Sequence, residues 1–165
     1  MNAYKESSPA GGRSLPRRSA VRAVRILNGP NLNLLGTRET GVYGSETLAD
    51  IESRCRQHAS TLGLTLEFRQ TNHEGELVDW IQQAGRDAAP VILNPGAYSH
   101  TSIAIHDAIR GAEATVIEVH ISNIFARESF RQHSYVSPVA AGVICGFGTN
   151  GYLLALDAVA AMTAA

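Results

Sequence analysis

From Val24 onward, short apolar runs that alternate with polar residues or show no period give way repeatedly to longer stretches whose apolar positions recur every three or four residues. VRILN, LTLEFRQT, VILNP, TVIEVHI and GVICGF read as five strands, and SETLADIESRCRQHASTLG, EGELVDWIQQAGRDA, SIAIHDAIRGA and NGYLLALDAVAAM as four helices. In the first helical stretch Leu48, Ile51, Cys55, Ala59 and Leu62 share a face, Ser45 is placed to cap its start, and Gly63 supplies the stop. In LTLEFRQT, Leu64, Leu66 and Phe68 alternate with Thr65, Glu67 and Arg69, which predicts an edge strand with one wet face.

Strict alternation of strand and helix through short links predicts an α/β domain, a parallel sheet with helices on both faces. Five strands suit the flavodoxin-like order 2-1-3-4-5, in which ligands bind beyond the carboxyl ends of the strands. That rule selects three loops, GPNLNLLGTRETGVYG, GAYSHTS and SNIFARESFRQHS. The first is longer than strand-to-helix links usually are, so it is expected to do more than connect. It has neither the GxGxxG nor the GKS/T pattern of a phosphate cradle.

The chain has 165 residues, 44% of them hydrophobic, enough to bury a core without disulfides or metal staples. We expect a single catalytic-sized domain over residues 24–165 and a disordered basic tail over residues 1–23. That tail contains SSPAGGRSLPRRS and lacks the apolar core of a secretory signal, although its Arg/Ser-rich character leaves an organelle transit peptide open. Residues 1–25 hold six of the fourteen basic side chains and one acid, leaving eight arginines against fourteen acids. Nucleic-acid binding by the folded body is therefore not expected, and an anionic ligand would need local arginines. No apolar run approaches the roughly 20 residues of a membrane-spanning helix. Cys55 and Cys145, far apart, read as small core residues and fit a reducing compartment such as the cytoplasm.

Lysine is confined to Lys5, which leaves no plausible Schiff-base nucleophile or pyridoxal phosphate anchor in the domain. His58, His73, His100, His106, His120 and His133 form no HExxH motif, His100 and His106 fall on different faces of a helix, and no GxSxG elbow is present. We therefore expect neither cofactor nor metal, and charge developing next to a ketone would be held as an enolate by hydrogen bonds and cations. Tyr43 is a candidate base in the first loop, with Arg38 five residues upstream to favour its phenolate. Spacing alone equally allows Tyr43 to pack the loop and Arg38 to be a surface charge. Glu118 and His120, two apart on one strand, point to the same side, where the carboxylate can orient the imidazole as a proton donor. A satisfied histidine at a strand end is the plainer alternative.

NGPNLNLLGTRETGVYG, ILNPGAYSHTSIAIHDAI and IEVHISNIFARESFRQHSYVSP, in this order and spacing, resemble type II 3-dehydroquinate dehydratases over about Arg25 to Leu156. The resemblance implies anti elimination of water from 3-dehydroquinate through an enolate, in the shikimate pathway or quinate catabolism, with no cofactor. By motif, Tyr43 is the implied base, Arg38 the cation beside it, His120 the acid, Asn31 a holder of the enolate through a bound water, and Glu118 the group that orients His120. Substrate contacts fall to Asn94, His100, Ile121, Ser122 and Arg131, with Arg127 a loop arginine near the site. Asp107 matches a residue that the family donates across a subunit interface, within a trimer-based dodecamer. Glu39-Thr40-Gly41 stands where relatives often carry Glu-Pro, which predicts a looser first loop.

Overall fold

Seven residues of β1 (Arg22–Asn28) pair in parallel with seven of β2 (Leu64–Gln70), Arg22 opposite Leu64 and Asn28 opposite Gln70. On its other edge β1 pairs with β3 (Val91–Asn94), which pairs with β4 (Val116–His120), and β4 pairs with β5 (Gly142–Cys145). The sheet is parallel throughout, in the order β2-β1-β3-β4-β5. These are coordinates of a computed structural model that describes residues 22–36 and 46–164. The expected tail over residues 1–23 lies outside the described residues except for Arg22 and Ala23. Those two belong to β1, because β2 is long enough to pair with them.

Among the described residues four α-helices cover the sheet: α1 (Leu48–Thr61), α2 (Glu74–Arg86), α3 (Ile103–Gly111) and α4 (Asn150–Ala164). Strand alternation divides the core in two. Val24 and Ile26 of β1, Ile92 of β3 and Ile117 and Val119 of β4 pack with Ile51 and Cys55 of α1 and Tyr152, Leu156 and Val159 of α4. Leu27, Val91, Leu93 and Val116 face the other way, onto Leu77 and Ile81 of α2 and Ile105 and Ile109 of α3. The connection rule for parallel strands thus puts helices on both faces, as the alternation of elements requires.

Local chemistry sets the boundaries. Thr47, not Ser45, caps α1: its hydroxyl accepts from the Asp50 amide at 3.2 Å while Asp50 accepts from the Thr47 amide at 3.0 Å. This reciprocal box sits in T-L-A-D, two residues past the expected cap, and Ser45 lies outside the described residues. Gly63 at φ +68 ends the helix, a conformation that glycine adopts without strain. Cys55 is buried, and burial pushes its thiol up to about 12. Cys145, expected in the core, is only half-buried, because β5 is an edge strand whose Val143 is itself exposed.

Two glycines of α2 have opposite surroundings. A Cβ at Gly85 would lie 2.3 Å from the Ala112 carbonyl oxygen, at the close approach of α2 to the end of α3, whereas one at Gly75 would meet nothing within 4 Å. Helix propensity favours alanine at both by up to about 1 kcal/mol. We expect Gly75→Ala to be neutral or stabilising by less than that amount. Gly85→Ala should destabilise by about 1–3 kcal/mol, since backbone must move. Urea unfolding midpoints of the two variants check this, and a Gly85→Ala midpoint at or above that of the wild type would mean that the Gly85 contact is not rigid.

Candidate active site

β1, β3 and β4 end in Asn28, Asn94 and His120, and the segments that follow them enclose a cleft of about 240 Å³ at the carboxyl edge of the sheet. Pro30, Asn31, Leu32, Leu34 and Leu35 come from the segment after β1, and Asn94, Gly96, Ala97 and His100 from the end of β3 onward. His120, Ile121, Ser122, Ile124, Arg127 and Arg131 complete the lining. Of the residues predicted from sequence, Asn31, Asn94, His100, His120, Ile121, Ser122, Arg127 and Arg131 are therefore brought together, with Glu118 directly behind His120. Arg38, Tyr43 and the loop expected to be loose around them lie outside the described residues. Asp107 is exposed on α3, in a shallow groove shared with Gln82 and Arg86 of α2, and does not line the cleft.

The segments after β1 and β3 interlock at two glycine–proline corners. Gly29 donates to the Asn94 carbonyl at 2.8 Å, so near that a Cβ on Gly29 would stand 2.4 Å from the Pro95 carbonyl oxygen. Just beyond, Asn31 adopts φ 65, a left-handed conformation that asparagine tolerates better than most residues, and its amide donates to Asn72 Oδ1 at 3.0 Å. Leu32–Leu34 then closes as a 3-10 turn, so the first part of the long loop is folded.

Behind the cleft, Glu118 and His120 project from β4 to the same side, as their spacing requires. Glu118 has no exposed surface, and His120 is 5% exposed. His120 Nε2 lies 2.8 Å from Glu118 Oε1, Ser134 donates to the same oxygen at 2.6 Å, and Ser137 donates to Oε2. Burial pushes the Glu118 carboxyl up, but the bonds from His120, Ser134 and Ser137 together outweigh it and hold the group below the ordinary carboxylate range. With Nε2–H committed to the carboxylate, the ring's orientation is set, and Nδ1 is the nitrogen left for the cleft. The His100 ring stacks beside it, 6.4 Å between centroids at 12°. His100 Nδ1 donates to the His133 carbonyl at 2.7 Å, which leaves its Nε2 toward the opening.

His106 uses its Nδ1 in the same way, on the Tyr135 carbonyl at 2.8 Å. The two histidines do not share a helix as expected: His100 closes the 3-10 turn Gly96–His100 and His106 sits within α3. On the wall built by the segment after β4, Glu128 lies between Arg127 and Arg131, its Oε2 at 3.4 and 3.2 Å from their Nε atoms. One carboxylate against two guanidiniums leaves that wall net positive, the local arginines an anionic ligand needs. Among the described residues no three His, Cys, Asp or Glu side chains converge as a metal site, and no helix is long and apolar enough to cross a membrane.

Ser134 and Ser137 were missed by the sequence reading, although both stand in the HSYVSP run beside the predicted site. Tyr152 was missed too: it is fully buried at the start of α4, with its hydroxyl bonded to Asn94 and Asn28. A tyrosine among apolar helix residues, NGYLLAL, was the one signal available for it.

Comparison with known proteins follows the same residues. A family model described as dehydroquinase class II matches residues 22–160. A curated 3-dehydroquinate dehydratase of Brucella canis is 64% identical over 142 residues, covering 86% of this chain and 90% of that protein. A crystal structure of type II dehydroquinase from Propionibacterium acnes superposes with a TM-score of 0.83 at 48% identity, covering 85% of this chain and 97% of that one. The type II dehydroquinase of Butyrivibrio crossotus gives 0.81 at 40% identity over 84% and 97% of the two chains.

The Glu118 network has a consequence for stability. Its carboxyl is depressed in the folded state, so its contribution is complete above the unfolded value near ~4.3 and is lost as pH falls through the lower folded value. Unfolding free energies measured from pH 7 down to pH 3 should decline in the acid range, and Glu118→Gln should be less stable at pH 7 with a shallower acid decline. Parallel pH profiles for the two proteins would show that Glu118 is not depressed.

Proposed function

The chain belongs to the class II dehydroquinase family, and on that premise we propose that it is a hydro-lyase that converts 3-dehydroquinate to 3-dehydroshikimate by anti elimination of water. The observation that carries this reading is the His120–Glu118 pair at a cleft that Arg127 and Arg131 also line. A small polyhydroxy carboxylate needs such a site: fixed donors for its oxygens, cations for its charge, and a positioned acid for the departing hydroxyl.

In the proposed mechanism Tyr43, as phenolate beside Arg38, takes the proton from the carbon next to the ketone, and the electron pair moves to the carbonyl oxygen as an enolate. Asn31 holds that enolate through a bound water. When the enolate collapses, the bond to the β-hydroxyl breaks and His120, its Nε2–H held by Glu118, delivers a proton from Nδ1 to the leaving oxygen, so one water is released. Glu118 keeps His120 oriented throughout. The main-chain N–H groups of Ile121 and Ser122 take the substrate carboxylate, helped by Asn94, while His100 and Arg131 read hydroxyls and Arg127 adds positive charge at the mouth. No lysine occurs after Lys5, so the charge stays on oxygen rather than passing to an imine.

The quaternary proposal concerns Asp107. Its exposure on α3, away from the cleft of its own chain, supports a role at the site of a neighbouring copy within a trimer-based dodecamer. The same reaction serves aromatic biosynthesis in the shikimate pathway or quinate breakdown, and we place it in the cytoplasm.

Purified protein mixed with 3-dehydroquinate, with no added cofactor or metal, should produce the ultraviolet absorbance of the conjugated enone; a flat trace would overturn the assignment. Tyr43→Phe and His120→Ala should each lose about 10²–10⁴-fold in kcat, the usual share of a positioned base or acid. Tyr43→Phe should still bind the substrate. Wild-type turnover in either variant would force reassignment of that role.

A further inference from the structure

We infer that Tyr152 is a positioning residue of the cleft: its buried hydroxyl fixes which end of the Asn94 amide is presented at the site. The inference rests on the proposed contact between Asn94 and substrate. Tyr152 stands in the first turn of α4, with no exposed surface, and Asn28 and Asn94 are 0% and 3% exposed. Asn28 and Asn94 are paired neighbours at the ends of β1 and β3. Both point to the α1/α4 face, by alternation from Ile26 and Ile92, and the Tyr152 hydroxyl is shared between them.

The polarity of this chain of bonds is determined at both ends by backbone. Asn28 Nδ2 donates to the Arg69 carbonyl at 3.0 Å, and a carbonyl can only accept. Asn28 therefore turns Oδ1 toward Tyr152, whose O–H donates to it at 2.7 Å. That leaves the phenolic oxygen as an acceptor, filled by Asn94 Nδ2 at 2.8 Å. At the far end the Gly96 amide, which can only donate, reaches Asn94 Oδ1 at 3.2 Å. An Asn94 rotated by 180° would set donor against donor at Gly96 and leave Nδ2 without Tyr152. Burial pushes the Tyr152 phenol up, so the hydroxyl keeps its proton and its donor role at any working pH.

Without the hydroxyl, the amide of Asn94 would be held by one long bond to Gly96, and both asparagines would lose a buried partner. Tyr152→Phe removes that oxygen and keeps the ring in the core.

The experiment is a double-mutant cycle on the full chain: wild type, Tyr152→Phe, Asn94→Ala and the double variant, each checked for folding by circular dichroism. We expect Tyr152→Phe to lower kcat/KM for 3-dehydroquinate about tenfold in the wild-type background, as loss of one buried partner predicts. In the Asn94→Ala background the change should be under about twofold, the scatter of additive effects. An equal loss in both backgrounds, or no loss in the first, overturns the inference. A second readout needs no turnover: proton exchange of the Asn94 side-chain amide, followed by NMR on ¹⁵N-labelled protein, should be faster in Tyr152→Phe. An unchanged exchange rate overturns the positioning role even if 3-dehydroquinate proves not to be the substrate, whereas faster exchange with an inactive wild type would sink only the assignment of the reaction.

Discussion

Glu118 sits on an interior strand of a parallel sheet with no exposed surface, where an unpaired carboxylate would cost several kcal/mol. Three donors make it tolerable, and delivering them organises one side of the cleft. Ser134, having donated to Glu118, accepts in turn from the Val136 and Ser137 amides at 3.1 and 3.2 Å, which shapes the chain through residues 134–137. The His133 carbonyl just before that stretch and the Tyr135 carbonyl within it are the acceptors for His100 and His106. The orientation of both cleft histidines, His120 directly and His100 at one remove, thus traces to a single buried charge.

The opposite face of the sheet carries a second polar network of different character. Glu118 and His120 share their side with Val116, whereas Asn28 and Asn94 share theirs with Ile26 and Ile92. Alternation along the strands therefore sends the charged pair toward the α2/α3 layer and the neutral asparagines toward Tyr152 on α4. Each network lies at the carboxyl end of the sheet, where backbone partners run out and side chains must supply the remaining hydrogen bonds. A one-residue slip of β4 would turn Glu118 into the apolar layer built by Tyr152 and Leu156, so the buried charge also fixes register.

How much of this could be read in the sequence depended on the range of the interaction. Helices and strands follow from periods of three to four and two, and the strand order from their alternation; both are local or nearly so. The cap of α1 is local as well, and naming Ser45 instead of Thr47 overlooked the Asp50 that completes the box. Glu118 and His120 were legible because they are two apart on one strand. The partners that make the pair work are Ser134 and Ser137, 16 and 19 residues away, and Tyr152 lies 124 residues from Asn28. Such contacts leave no trace in local pattern, since any buried serine or tyrosine could be satisfied in many ways. Cys145 illustrates the converse: an apolar setting along the chain suggested the core, but an edge strand has too little covering it.

Both networks end on main-chain groups, and this decides what the cleft can do. A histidine ring or an asparagine amide can turn over, exchanging donor for acceptor, whereas a strand carbonyl or a loop N–H has one polarity only. The Arg69 carbonyl and Gly96 amide determine Asn28, Tyr152 and Asn94; the His133 carbonyl determines His100. His120 is determined instead by a carboxylate, the one acceptor in the set that carries charge. For an elimination that keeps its charge on oxygen, the favourable arrangement is donors already aimed before charge develops, because reorienting them during the reaction would raise the barrier. A fold whose backbone dictates those orientations supplies that arrangement with neutral side chains, and sets Glu118, the one buried carboxylate among the described residues, beside the histidine proposed to give up a proton.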